Sequence, residues 1–192
     1  DDTAARARAA GAQVVERHDA ERRGKGYALA FGVEHLAADP PAVVVVVDAD
    51  CTLGERALPI LVAACTQRRL PIQARYLMRY PPGTGGLGAQ IAEFAFLVKN
   101  HVRPLGGARL GAACPLFGSG MAFPWPVIAQ APLANGNIVE DMKLGVDLAL
   151  AGTGTRYCAA AAVDSLFPTS AEGQASQRTR WEHGHLHTQI NE

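Results

Sequence analysis

Five consecutive valines, Val43 to Val47, lead directly into Asp48-Ala49-Asp50. A strand with one wet face alternates polar and apolar residues, whereas an unbroken β-branched run marks a strand covered on both faces, as at the centre of a parallel sheet. Covering both faces requires helices on each side, and the surrounding sequence supplies them. Gly24-Lys25-Gly26 opens a helical pattern with Ala28, Leu29, Phe31, Gly32 and Leu36 on its apolar side, and Asp39-Pro40-Pro41 stops it. Glu55 to Thr66 predicts the next helix.

The rest of the chain continues this alternation. Thr3 to Ala12 is rich in the strong helix formers Ala and Arg, with Gly11 suited to its end and the short apolar Val14-Val15 strand beyond. Charged residues from Glu16 to Arg23 form a loop. Ile72 to Met78 predicts a strand, Pro81 to Gly86 a flexible connection, and Leu87 to about Val102 a helix. Short strands are expected on either side of Phe117-Gly118-Ser119-Gly120. Val139 to Ala151 reads as a helix ended by Gly152, Tyr157-Cys158 as a short strand, and Ala171 onward as a final helix. The expectation is one α/β domain over residues 1–192, with a mixed, mostly parallel sheet flanked by helices.

Composition excludes several classes of function. Acidic and basic side chains balance at 18 each, so no broad electrostatic footprint for nucleic acid or anionic membrane stands out, and any anion binding must be local. The four cysteines are widely spaced without a Cys-x-x-Cys pair, which argues against a zinc knuckle or a disulfide framework and fits a reducing cytosol. No apolar run approaches the roughly 20 residues that span a bilayer. The start at Asp1-Asp2-Thr3-Ala4 has neither an initiator Met nor a signal-like pattern and reads as a piece truncated from a longer chain.

Five groups of residues bear on chemistry. Asp48 and Asp50, two apart on an extended chain at a strand exit, point to one side and form a hard-oxygen site suited to Mg²⁺ or Mn²⁺. Ligands of open α/β sheets collect at strand carboxyl ends, although an isolated Asp-x-Asp is more often a solvated turn. Lys25 between glycines offers a point charge to a phosphate or a hydrogen bond to a base; its bland alternative is a solvated helix start.

Glu140-Asp141 opens a helix, where the exposed amides and dipole alone account for acidic residues. The functional alternative makes Asp141 a general base. Gln177, Arg180 and Trp181 lie within little more than one helical turn and offer an amide, a guanidinium and a flat indole, unless they are an ordinary amphipathic face. Gly118-Ser119-Gly120 lacks the Gly-x-Ser-x-Gly spacing of a nucleophile turn and suits a backbone wall against an acceptor. His183, His185 and His187 alternate along the chain and are read as not forming a metal site.

Taken in order, Lys25, Asp48-Ala49-Asp50, Phe117-Gly118-Ser119-Gly120, Glu140-Asp141 and Gln177-Arg178-Thr179-Arg180-Trp181 resemble the family-2 glycosyltransferases over nearly the whole chain. The similarity is to the membrane polysaccharide synthases of the cellulose, hyaluronan and poly-N-acetylglucosamine type. It implies a GT-A-like fold and inverting sugar transfer from a nucleotide-diphosphate donor to a glycan or lipid-linked acceptor. It further implies that Asp48 and Asp50 hold the nucleotide and a divalent cation, that Lys25 touches the nucleotide, and that Asp141 is the base. Phe117, Gly118, Ser119 and Gly120 would line the acceptor path with Glu140, while Gln177, Arg180 and Trp181 would bind diphosphate and acceptor sugar.

The family's first nucleotide-binding strand is expected before Asp1 and its membrane segments after Trp181, placing a full-length protein at the cytoplasmic face of the inner or plasma membrane. Two other readings remain: a nucleotide-sugar-binding module without catalysis, and a nucleotidyltransferase with aspartates at a phosphate site.

Overall fold

The computed structural model describes residues 2–84, 86–134, 139–170, 172–177 and 179. Helix α1 spans Thr3–Ala9 and α2 spans Lys25–Leu36, followed by strands β1 (Val43–Val46) and β2 (Thr52–Leu53). Helix α3 (Ala57–Arg68) leads to β3 (Ile72–Arg79). A long helical stretch comprises α4 (Leu87–Leu97), a π-helical turn (Val98–Val102) and α5 (Arg103–Arg109). Strand β4 (Met121–Pro124), the short α6 (Trp125–Ile128), α7 (Glu140–Leu150) and β5 (Arg156–Leu166) complete these elements. Residues 172–177 are helical, at the expected position of the final helix.

The five strands form one mixed sheet in the order β1-β4-β3-β5-β2. β1 and β3 are both antiparallel to β4, and β3 is parallel to β5, so β1, β3 and β5 share one direction. β2 runs against β5. The α/β expectation is met, with two differences among the described residues: only β3 and β5 form a parallel pair, against a mostly parallel sheet, and β1 is an edge strand, not a central one. Residues 12–19, which include Val14-Val15, have no regular structure.

Both faces of β1 are nonetheless covered. Val43 and Val45 pack toward α3 with Leu61, Cys65, Ile72 and Val163. Val44 and Val46 point the other way, toward Leu29 and Val33 of α2 and toward Met121, Phe123 and Leu144. Successive strand side chains alternate between faces, so a run with no polar residue feeds two cores at once. β4 divides likewise, with Ala122 in the first core and Met121 and Phe123 in the second.

Two elements extend beyond their sequence signals. The helix expected to end near Val102 continues to Arg109 through Gly106 and Gly107. β5 has 11 residues instead of a short Tyr157-Cys158 strand, because its alanine run carries little β propensity of its own and is held by pairing with β3. Its register jumps from Ala74↔Cys158 to Arg75↔Ala162, so residues 159–161 bulge from the ladder. Before the turn at Phe117 to Gly120 residues 112–117 form no strand; only β4 follows.

Candidate functional site

The site forms where β1 ends, β4 begins and the first turns of α2 and α7 converge. Gly120 ties the sheet to this end: its amide donates to Val46 O at 2.9 Å and its carbonyl accepts from the Ala74 amide at 2.8 Å. A side chain is excluded there, since a Cβ on Gly120 would lie 2.7 Å from Val163 Cγ2 and 2.9 Å from Ala74 Cβ. Its φ of +68° is likewise one that glycine adopts readily.

Gln73 fixes the loop ahead of Gly120. Its fully buried side chain donates from Nε2 to Ser119 O at 2.9 Å and to Ala74 O at 3.0 Å. Its Oε1 accepts from the Phe117 amide at 2.9 Å. One amide thus satisfies both ends of the Phe117 to Ser119 segment, as burial requires. Ser119 is fully buried, and its Oγ accepts from the Asp48 amide at 3.1 Å, which joins the loop to the end of β1. This hydroxyl is a structural brace.

Lys25 is the hub. From the first turn of α2 its Nζ donates to Gly118 O at 2.8 Å and pairs with Asp48 Oδ1, with Glu140 Oε1 at 4.0 Å. Its side chain is half-buried, so these interactions are less screened than those of a surface lysine. Asp141 stands across the loop, with Oδ2 3.4 Å and Lys25 Nζ 3.6 Å from the point where a Cβ on Gly118 would sit. Gly118, at φ +85°, leaves that space open between a carboxyl and an ammonium.

Burial pushes the Asp141 carboxyl above its ordinary value, opposed by the Met142 amide, the Lys25 charge, its own amide and the Lys99 charge. Glu140 is also raised, first by burial and then by the neighbouring Asp141 charge. A carboxylate destabilised by burial but held beside a cation is a candidate proton acceptor. The two residues also line a small crevice with Gly26, Leu29, Met121, Leu133 and Leu144.

Asp50 is exposed on the turn after β1, and ligand atoms of Asp48, Asp50 and Cys51 lie within 4.8 Å of one another. Two carboxylates at a strand exit fit a divalent cation with oxygen ligands, and Lys25 engages only Oδ1 of Asp48. The thiol adds a softer donor atom; burial raises its pKa, with the Asp50 and Asp48 charges acting in the same sense.

The structure therefore brings together Lys25, Asp48, Gly118, Ser119, Glu140 and Asp141, with Asp50 and Cys51 at the rim. Gln177 is half-buried within residues 172–177. Arg180 and Trp181 lie outside the described residues. Gln73 and Cys51 escaped the sequence reading. The only signal for Gln73 was an amide inside an apolar strand, and for Cys51 its adjacency to Asp50.

No curated protein matches the chain. The model of the family described as "Glycosyltransferase like family 2" matches residues 1–184, which takes in every group of the site and the Gln177 to Trp181 run. The chain belongs to this glycosyltransferase family 2-like group.

Proposed function

We propose that the chain catalyses inverting transfer of a sugar from a nucleoside-diphosphate donor to a hydroxyl of a glycan or lipid-linked acceptor, in the making of a surface polysaccharide. Family membership supports glycosyl transfer in general and the GT-A-like character of the mixed sheet with helices on both faces. The observation that carries the finer reading is the Asp141 carboxyl, raised by burial and set across Gly118 from the Lys25–Asp48 ion pair.

In this reading the acceptor oxygen attacks the anomeric carbon as the bond to the donor phosphate oxygen breaks. Asp141 takes the hydroxyl proton. Lys25 places positive charge beside the nucleotide, and the backbone of Phe117, Gly118, Ser119 and Gly120 with Glu140 forms the acceptor wall. Asp48 and Asp50 would hold Mg²⁺ or Mn²⁺, and that ion would supply charge neutralisation at the diphosphate. Gln177 and Arg180 contact the diphosphate, and Trp181 stacks on the acceptor sugar. The same reading places the full-length protein at the cytoplasmic face of the inner or plasma membrane.

Incubating the full-length protein with a panel of nucleotide sugars and Mg²⁺ or Mn²⁺ tests the proposal. Acceptor-dependent release of a nucleoside diphosphate supports it. Pyrophosphate release points instead to nucleotidyl transfer, and metal-dependent donor binding without turnover to a non-catalytic module.

A further inference from the structure

The stretch from Leu87 to Arg109 is about 34 Å of continuous helical backbone lying on β3 and β5. Its inner side is well anchored. Phe96 makes edge contacts with Tyr76 and Phe167, and Glu93 Oε1 accepts from the Tyr80 amide at 2.6 Å. Asn100 and Pro104 are buried. The outer side carries large apolar residues in the open: Leu87 is 73% exposed, Ile91 59%, Phe94 66% and Val102 52%. The first three follow the i, i+4, i+7 spacing of a single helix face. The π turn, with its wider i→i+5 winding, lets Val102 stay outward while Asn100 turns into the core.

The charge on this part of the chain has one sign. From Arg56 to Val139, both included, there are eight Lys or Arg residues and a single acid, Glu93, which accepts from the Tyr80 amide. Arg103 and Arg109 are exposed on the same helical stretch, and among the described residues neither has an ion-pair partner. At the far end of α5 a groove of about 540 Å³ opens beside Ala108 and Gly111 and is lined by Arg68 and Arg156.

We propose that this outer side docks on an anionic lipid bilayer, with Leu87, Ile91, Phe94 and Val102 at the acyl boundary and Arg103 and Arg109 at headgroup phosphates. An apolar stripe flanked by cations is the composition of helices that lie in a membrane interface. No helix of the described residues is long and apolar enough to cross the bilayer, so the contact is a surface one. A second copy of the chain fits less well: a two-fold contact would set the face against itself and bring no carboxylate to meet its guanidiniums. Anionic lipid supplies that charge.

Flotation of the protein with vesicles tests this without any sugar donor. The chain should float with phosphatidylglycerol-containing vesicles and stay down with pure phosphatidylcholine, and about 0.5 M salt should weaken the binding. The double variant Ile91→Glu/Phe94→Glu, changed only at exposed positions, should keep its circular dichroism and lose about tenfold or more in partitioning. Arg103→Glu/Arg109→Glu should lose the preference for anionic lipid. Equal flotation of wild type and the Ile91/Phe94 variant overturns the proposal, as does a wild type that ignores phosphatidylglycerol. A lipid-independent dimer that Phe94→Glu dissociates overturns it too, by assigning the face to a second copy. Nucleoside-diphosphate release by the Ile91/Phe94 variant free in solution should be unchanged, so docking and catalysis fail separately.

Discussion

The Lys25 ammonium donates to the Gly118 carbonyl at 2.8 Å, joining the first turn of α2 to a loop 93 positions away in sequence. The same ammonium pairs with Asp48 and lies 4.0 Å from Glu140, so it bridges acids that would otherwise repel. Lys25→Met keeps most of the stem and removes the charge. It should lower kcat/KM by about tenfold to a hundredfold, the size of one lost charge-assisted hydrogen bond. Steady-state kinetics with varied donor should show much of the loss in donor KM; a variant equal to wild type would remove Lys25 from the donor site.

Burial raises the Asp141 pKa above its ordinary 3.8, and this has a sign for stability. A raised folded pKa means that its stabilising contribution is full below the unfolded value and is lost as pH rises through the folded one. As pH rises above the unfolded value, Asp141 therefore weakens the fold. Asp141→Asn should melt higher than wild type at pH 7, with the gain shrinking toward pH 4. Thermal denaturation across that range checks it; a variant that is less stable at neutral pH would contradict the burial argument.

Two glycines in one loop should fail differently. At Gly120 a methyl group meets Val163 and Ala74 inside van der Waals contact, so Gly120→Ala should cost about 3 kcal/mol or more. At Gly118 the neighbours stand at 3.4 Å and 3.6 Å, and only the left-handed backbone is penalised, at about 1–2 kcal/mol. Gly118→Ala should fold but lose most of its activity, because its methyl group fills the space between Asp141 and Lys25. Denaturant melts paired with activity assays separate the two outcomes.

Replacing Gln73 by Leu strands the Phe117 amide and the Ser119 carbonyl without a partner in the core. The cost should be about 3 kcal/mol, typical of buried polar groups left unsatisfied. Gln73→Glu should be worse at neutral pH than in acid, since an ionised carboxylate would face the Ser119 and Ala74 carbonyls. Chemical denaturation at two pH values measures both.

What the sequence made legible follows from where the constraint is local. The valine run identifies a strand covered on both faces because alternation along one strand is a property of consecutive residues. Its place at the sheet edge depends on β4, some 75 residues away, and no local signal carries that pairing. Lys25, Asp48 and Asp141 were visible as types and spacings, yet their meeting at Gly118 is a tertiary fact. Gln73 was hidden because one amide in an apolar strand says nothing of the loop it will clamp. Alanine gives little strand signal, so the length of β5 comes from its partner β3 and not from its own residues.

In the proposed reaction Asp141 accepts the proton of the attacking hydroxyl. The most direct test is acceptor-dependent nucleoside-diphosphate release by wild type and Asp141→Asn in the full-length protein, with donor binding measured alongside. The amide keeps the shape and cannot take the proton, so kcat should fall by about a hundredfold or more while donor affinity stays within a few-fold. A folded Asp141→Asn protein that transfers sugar at the wild-type rate would contradict the account.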